Sequence, residues 1–185
     1  MAVQAAPTIH TWKLDPAHTT VEFAVKHMMF TTVRGRFKSL SGTIIVDEAN
    51  PDRSTVEVQI DAASIDTGVA DRDAHLRSAD FLDTANHPQI TFRSTKVEGA
   101  HKAAGDRFKV RGDLSIRGKS IPVTLEASFE GAGKDPWGNE KAGFSAKTEI
   151  DRREWGLTWN QALETGGILV GTGVKIEIEA QVAKA

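Results

Sequence analysis

The chain has 185 residues, of which 23 are lysine or arginine and 25 are aspartate or glutamate, so its formal net charge is −2. The absence of cysteine excludes disulfides, thiolate catalysis and cysteine-ligated metal or iron–sulfur centres. The charge balance does not favour a nucleic-acid groove, and no basic run or basic amphipathic helix indicates a membrane-surface role.

Alternation of apolar and polar residues predicts strands along most of the chain. Val21, Phe23 and Val25 point one way while Glu22 and Lys26 point the other, which is typical of a strand with one dry face. The short segment Trp12–Leu14 is counted as the start of the strand Thr20–Met28, which gives about eight strands. The predicted strands are Trp12–Leu14, Thr20–Met28, Arg36–Asp47, Thr55–Asp61, Gln89–Glu98, Arg107–Arg117, Ile121–Glu130, Lys141–Asp151 and Thr172–Val182.

Two stretches interrupt the alternation. Between Ala70 and Leu82 the period changes, and Asp71 and Asp73 suit the first turn of a helix, so we predict a short helix there. The stretch from Gly156 to Gly171 is too long for a tight hairpin. Loops of that length are often functional.

These elements predict an all-β fold, an extended antiparallel β-barrel of about eight strands with one short helix. We expect a single domain over residues 1–185, with residues 1–10 as a flexible tail. Long antiparallel strands tend to close, because closure removes exposed edges. Glycines inside or beside strands mark where the wall can bend, and they are Gly35, Gly42, Gly112 and Gly143.

The inward side chains of such a barrel are mostly large and apolar. An eight-stranded barrel either fills its interior with side chains or holds one small ligand. The pattern alone favours packing, because pockets are few per protein. The candidate lining residues are Val21, Phe23, Val25, Phe37, Val58, Ile60, Phe81, Ile90, Phe92, Phe108, Val110, Leu114, Phe129, Phe144 and Ile176.

The histidines raise the question of a metal or catalytic site. His18 and His27 have opposite parity, so they would face opposite sides of a strand, and we predict no metal site. No Gly-x-Ser-x-Gly elbow, phosphate loop or dinucleotide fingerprint is present. Paired carboxylates stay open as acid–base groups, although those in the clearest strands point outward. We expect no catalytic residue and no cofactor.

An ordered set of motifs covers nearly the whole chain, from Trp12 to about Val182. The motifs are Trp12-x-x-Asp15-x-x-His18 with Phe23 and His27, Gly35-x-Phe37 with Gly42, Thr67 with Arg72-Asp73-x-His75-Leu76-Arg77-Ser78-x-Asp80-Phe81, Pro88 with Phe92 and Ser94, Gly112-x-Leu114-x-Ile116-x-Gly118 with Pro122-Val123, and Asp151-Arg152 before Gly156. Together they resemble the YceI-like polyisoprenoid-binding proteins. Thr19, Leu82 and Trp155 depart from that pattern conservatively.

The resemblance implies a lipocalin-like antiparallel barrel with a long apolar tunnel. It also implies an isoprenoid chain as ligand, such as a polyprenyl quinone, and dimers in some members. We therefore expect the lining residues to take up the isoprenoid tail, for transport, storage or sensing, while the segment from Ala70 to Leu82 covers it. The candidates for the polar end of the ligand are His27, Arg77 and Asp80.

Two other functions remain open. An enzyme would act on an apolar substrate through His27 or the segment from His75 to Asp80, and its pocket would bring two titratable groups together. A structural or stress-response protein would have a filled barrel without a cavity.

The N-terminal sequence bears on location. Met1 to Pro7 has no positive n-region and no apolar h-region, so we expect a cytoplasmic protein. A leader removed before Met1 would instead place it in the periplasm or outside the cell. No apolar run approaches the roughly 20 residues of a spanning helix, so no stable membrane insertion is expected.

Overall fold

A computed structural model describes residues 8–100 and 103–185, and within them eleven strands form one antiparallel sheet. A single α-helix, α1, spans Ala70–Arg77 in this part of the chain. The strands are β1 Ile9–Leu14, β2 Thr20–His27, β3 Thr31–Phe37, β4 Leu40–Asp47, β5 Thr55–Asp61, β6 Ile65–Asp66, β7 Gln89–Glu98, β8 Arg107–Ile116, β9 Lys119–Lys134, β10 Glu140–Asp151 and β11 Val170–Lys184.

The sheet closes on itself. Its order is β1-β4-β5-β7-β8-β9-β10-β11, and β1 pairs in turn with β11, so these eight strands form a closed ring. β2 continues from β1 along the same neighbour, β11, after a short 3-10 turn at Pro16–His18. β3 and β6 extend the sheet from β2. The predicted antiparallel eight-stranded barrel with one short helix is therefore confirmed.

The strand bounds differ from the prediction at several places. The short strand β6 was not predicted, β1, β9 and β11 extend beyond their predicted bounds, and the largest difference is at β3. We expected one strand from Arg36 to Asp47, whereas the structure has β3 from Thr31 and a break before β4. The break falls where the backbone N–H groups of Lys38 and Ser39 turn to Ser64, at 3.2 Å from its carbonyl oxygen and 3.1 Å from its Oγ. This local partner replaces the sheet hydrogen bonds of the two residues.

The structure also bears on the predicted N-terminal tail and on the end of the predicted helix. Of the tail expected at residues 1–10, residues 1–7 lie outside the described residues, and Ile9 and His10 belong to β1. The helix expected between Ala70 and Leu82 ends at Arg77. In the described residues no helix has the length and apolarity needed to cross a membrane.

The barrel has two different ends. The turn between β2 and β3, helix α1 and the connection at residues 152–169 lie at one end, which we call the helix end. The opposite end, which we call the terminal end, carries the start of β1, the end of β11 and the β4–β5 and β9–β10 connections. The long connections therefore gather at the helix end, where they can cover the interior.

Two of the four glycines that the sequence singled out lie at irregularities of the sheet. The pairing of β10 with β9 shifts register between Gly143 and Phe144, and that of β7 with β8 shifts where Ser94 faces Gly112. A Cβ atom on Gly112 would lie 2.5 Å from the Phe92 ring and 2.5 Å from the Arg93 carbonyl oxygen. Gly112 thus allows the Phe92 ring to approach the backbone of β8 closely.

We expect Gly112→Ala to lower the free energy of unfolding by about 1–3 kcal/mol, because the added methyl group must displace both an aromatic ring and a backbone carbonyl. Urea denaturation followed by circular dichroism measures this. Gly133→Ala in β9 is the matched control, since its Cβ meets nothing within 4 Å and should change stability by less than about 0.5 kcal/mol. Equal effects of the two substitutions would contradict the close-packing role of Gly112.

Candidate functional site

The interior of the barrel holds a cavity of about 730 Å³. Its wall reaches from His27 and Leu169 at the helix end to Pro51 and Ala100 at the terminal end. The volume falls within the range of about 300–1,000 Å³ that is common for small-molecule sites. The long dimension of the cavity therefore follows the barrel axis.

The inward side chains do not fill this space. On β5, Val56, Val58 and Ile60 point inward and are half-buried, while the alternating Glu57 and Gln59 are exposed. An apolar side chain that faces a closed interior and keeps accessible surface faces a void. The open interior argues against the filled-barrel alternative.

Twelve of the sixteen buried apolar residues in the described part of the chain form two clusters instead of one continuous core. One contains Phe81 and Trp155 and lies towards the helix end, and the other contains Phe92 and Val110. Half-buried residues such as Leu114 contact both clusters. The barrel is thus packed tightly in two places and open along its axis.

All fifteen apolar residues that the sequence singled out lie in the wall of this cavity. Contact of these side chains with a ligand stays a prediction. They are Val21, Phe23, Val25, Phe37, Val58, Ile60, Phe81, Ile90, Phe92, Phe108, Val110, Leu114, Phe129, Phe144 and Ile176.

The three predicted polar-end residues are not brought together. His27 is part of the wall at the helix end, whereas Arg77 and Asp80 are not. The Arg77 guanidinium donates to the carbonyl oxygen of Ala63 at 2.7 Å and to that of Ile65 at 3.0 Å. Arg77 therefore ties α1 to the connection between β5 and β6, a role that strand parity could not reveal.

Aromatic side chains from two separate connections cover the helix end. The ring centroids of His75 and Trp159 lie 4.7 Å apart, those of His75 and Phe81 5.0 Å, and those of Phe81 and Trp159 5.4 Å. We call His75, Phe81 and Trp159 the aromatic lid. Asp80 lies 2.8 Å from Nε2 of His75 and so fixes the orientation of its ring. The sequence indicated this lid through the segment from Ala70 to Leu82, which was expected to cover the ligand, and through the unusual length of the loop that carries Trp159.

The His75–Asp80 pair, at 2.8 Å, brings two titratable groups within hydrogen-bond distance beside the helix end of the cavity, and His10 with Glu48, at 3.2 Å, does so at the terminal end. Only one member of each pair, His75 and Glu48, belongs to the wall. The described residues contain no cluster of three or more histidine, aspartate or glutamate side chains able to hold a metal. This arrangement suits a pair that holds the aromatic lid better than a pair that shares a proton with a substrate.

Arg152 is a buried cation in the cavity wall, and sequence reasoning missed it as a site residue. It is 5% exposed, and its guanidinium donates to the carbonyl oxygens of Leu157, Gly171 (2.9 Å) and Val170 (3.2 Å). It also lies 5.8 Å from the centroid of the Phe81 ring. Burial lowers the pKa of Arg152 from its usual value, since the charged form loses water.

The neighbouring acid does not neutralise Arg152. Asp151 instead accepts hydrogen bonds from the Arg153 side chain, at 2.6 Å from its Nη2, and from the Arg153 backbone. These bonds lower the pKa of Asp151 to about 2. The positive charge of Arg152 therefore remains at the helix end of the cavity, shared among three carbonyl oxygens.

Comparison with known proteins gives consistent results. The model of the YceI-like domain family matches residues 12–182. Protein YceI of Escherichia coli O157:H7 is 45% identical over 148 residues, which are 79% of this chain and 75% of that protein. The crystal structure of BcnA from Burkholderia cenocepacia has a TM-score of 0.77 at 25% identity and covers 91% of this chain and 98% of its own.

A third protein has the same fold at low identity. A polyisoprenoid binding domain from Saccharophagus degradans has a TM-score of 0.70 at 15% identity, over 94% of this chain and 98% of that one.

We expect Arg152→Met to lower the free energy of unfolding by about 3 kcal/mol or more, because three buried carbonyl oxygens lose a charged donor. Arg152→Lys should recover only part of the loss, since one ammonium group lacks the planar fork of the guanidinium. Guanidinium chloride denaturation of both variants measures the difference. Arg153→Met is the exposed control and should cost much less; an equal loss there would contradict the structural role of Arg152.

Proposed function

The chain belongs to the YceI-like domain family, and on that basis we propose that it holds an isoprenoid lipid, such as a polyprenyl quinone, along the axis of its barrel. The observation that carries the proposal is the open axial cavity surrounded by half-buried apolar side chains. A neighbour of the same fold is described as a polyisoprenoid binding domain, which supports the choice of ligand class.

The energetics favour a long apolar tail. Each buried methylene group contributes about 0.8 kcal/mol, so a few isoprene units supply most of the binding free energy that a carrier needs. The double bond in each isoprene unit does not rotate, so an isoprenoid chain loses fewer internal rotations on binding than a saturated chain of equal length. Lower ordering cost means tighter binding for the same contact area.

The distribution of charge gives the ligand a direction. At the helix end the cavity wall contains His27, His75 and Arg152, whose N–H groups can donate hydrogen bonds. At the terminal end it contains Asp47 and Glu48, which are acceptors when ionised. The carbonyl oxygens of a quinone, or the oxygens of a phosphate, need donors. We therefore place the polar end of the ligand at the helix end and the end of the tail near the terminal end.

Carriage or storage of the lipid suits this cavity better than catalysis. The aromatic lid and α1 cover the helix end, and they are held by side-chain hydrogen bonds that a small displacement can break. Such a cover can open to admit a chain and close behind it.

We expect protein purified from its native host to release an isoprenoid lipid on organic extraction, and native mass spectrometry to show one lipid per chain. Ala146→Phe should reduce the extracted lipid at least tenfold, because Ala146 and its neighbour Ala127 on β9 leave a part of the cavity wall with small side chains, and a phenyl ring there would enter the interior.

The control for this variant is Lys147→Phe, which places the same side chain on the exposed face of β10 and should leave the lipid content unchanged. The proposal fails if the purified wild-type protein is empty and also takes up no added polyprenyl quinone.

A further inference from the structure

The turn between β2 and β3 exposes three consecutive large apolar residues. Met28, Met29 and Phe30, which we call the β2–β3 tip, are 39%, 60% and 72% exposed. Isolated exposed apolar residues are ordinary on protein surfaces, but a contiguous group at the end of a protruding hairpin marks a contact surface. The exposed tip therefore indicates a binding surface for a partner.

The backbone of the tip is strained by the methionine side chains it carries. Met28 and Met29 both have positive φ, 51° and 70°, and the Phe30 N–H donates to the His27 carbonyl oxygen at 3.3 Å. Positive φ at both central residues is the geometry that favours Asn-Gly, and methionine adopts it with strain. Strain retained at an exposed turn indicates a function for its side chains.

The tip is also held in a fixed position. The Met28 N–H donates to the Leu169 carbonyl oxygen at 2.8 Å. The Met29 side chain covers Gly167, where a Cβ atom would lie 3.1 Å from the Met29 Cγ. The connection before β11 thus supports the tip from one side, so its apolar surface does not fold back onto the barrel.

A strip of basic side chains lies on the outer face of the sheet next to the tip. In the strand register, Ala24 faces Lys175 on one side and Arg34 on the other, and Lys26 lies two residues further towards the tip. We call Lys26, Arg34 and Lys175 the basic strip. Across the described ranges none of these three cations has a carboxylate within 4.0 Å.

Acidic residues frame this strip without neutralising it. Glu149 faces Lys175 across β10 and β11, and Glu22 lies two residues from Ala24 on the side away from the tip. The chain as a whole carries a formal charge of −2, so the basic strip is a local feature of this hairpin.

The cavity wall reaches the base of the tip. His27 and Val33, which flank the tip on β2 and β3, belong to the cavity wall, as does Leu169, which binds the Met28 N–H. A surface that contacts the tip therefore lies next to the helix end of the cavity.

We infer that the β2–β3 tip docks on an anionic phospholipid membrane. Met29 and Phe30 enter the boundary between headgroups and acyl chains, while the basic strip contacts lipid phosphates. An apolar surface that enters the interface and cations that contact anionic headgroups are the two contributions on which peripheral membrane binding depends. The inference goes beyond the proposed function, because it names a second partner and does not require the cavity to be occupied.

A membrane fits these features better than a second copy of the chain. A stable protein interface buries about 800 Å² on each partner, and three residues at the end of a hairpin offer much less. In a twofold dimer through the tip, the two basic strips would face each other and repel. A fluid lipid surface instead adapts to a narrow tip and supplies the negative charge.

The test is sedimentation of the full chain with vesicles of phosphatidylcholine containing 30% phosphatidylserine. We expect the wild-type protein to bind these vesicles, and to bind pure phosphatidylcholine at least tenfold more weakly. Raising the salt from 0.05 M to 0.5 M should weaken binding further, because ions screen the basic strip. Lys26→Glu/Arg34→Glu should reduce vesicle affinity by more than tenfold. Lys147→Glu, on the exposed face of β10, is the charge control and should change the affinity little.

The most informative variant is Met28→Asn/Met29→Gly. It relieves the positive-φ strain, so we expect a melting temperature equal to or above that of the wild type, together with at least a tenfold loss of vesicle binding. Its lipid content after purification should not change, which separates this inference from the function of the cavity. Trp137→Ser, at an 84% exposed residue of the terminal end, is the apolar control and should bind vesicles as the wild type does.

Three outcomes would overturn the inference. They are a wild-type protein that ignores anionic vesicles, a Met28→Asn/Met29→Gly variant that binds them normally, and a wild-type dimer in light scattering that this variant converts to monomer. The last outcome would assign the tip to a second copy of the chain.

Discussion

The pairing of β1 with β11 closes the barrel, and the interior depends on that closure. Only three residue pairs, from Trp12 with Lys184 to Leu14 with Val182, complete the ring. β11 then continues alongside β2, so one strand holds both the closed ring and the hairpin that rises from it. Because no edge remains in the ring, every second side chain of eight strands must face a common axis.

Closure also explains why the interior is open instead of filled. Side chains such as Val58 and Ile176 extend from the wall and stay half-buried, while the tight packing is confined to two clusters. An empty apolar space of this size is unfavourable for a core, because the lining atoms lack partners that they would have in a packed interior. A bound apolar chain supplies those partners, so the same feature that weakens the empty barrel gives it affinity for a lipid.

The helix end concentrates the irregular and polar parts of the molecule. Arg152 joins the long connection before β11 to the barrel through backbone carbonyls, and Arg77 does the same for α1. Both guanidinium groups are structural links at this end, and Arg152 shares the cavity wall with His27 and His75. Stability and access are thus set by different side chains at the same end of the barrel.

The sequence predicted the wall well because strand parity is local: Val21, Phe23 and Val25 must share a face whatever else the chain does. It missed the start of β3, where Gly35 takes the inward position that an apolar side chain would hold. It placed Arg77 and Asp80 at the cavity because parity says nothing about a helix and its exit.

The basic strip was beyond sequence reasoning for a different reason. Arg34 and Lys175 become neighbours only through the register of three strands, two of them more than a hundred residues apart. No run of basic residues marks them in the chain.

The most direct test of the central claim is a crystal structure of the protein saturated with a polyprenyl quinone. We expect continuous electron density for the isoprenoid tail along the barrel axis, in contact with Phe23, Val58 and Ile176. The quinone ring should lie at the helix end, near His27 and His75. An empty interior with the quinone bound on the outer surface, or a ring placed at the terminal end beside Asp47, would contradict that claim.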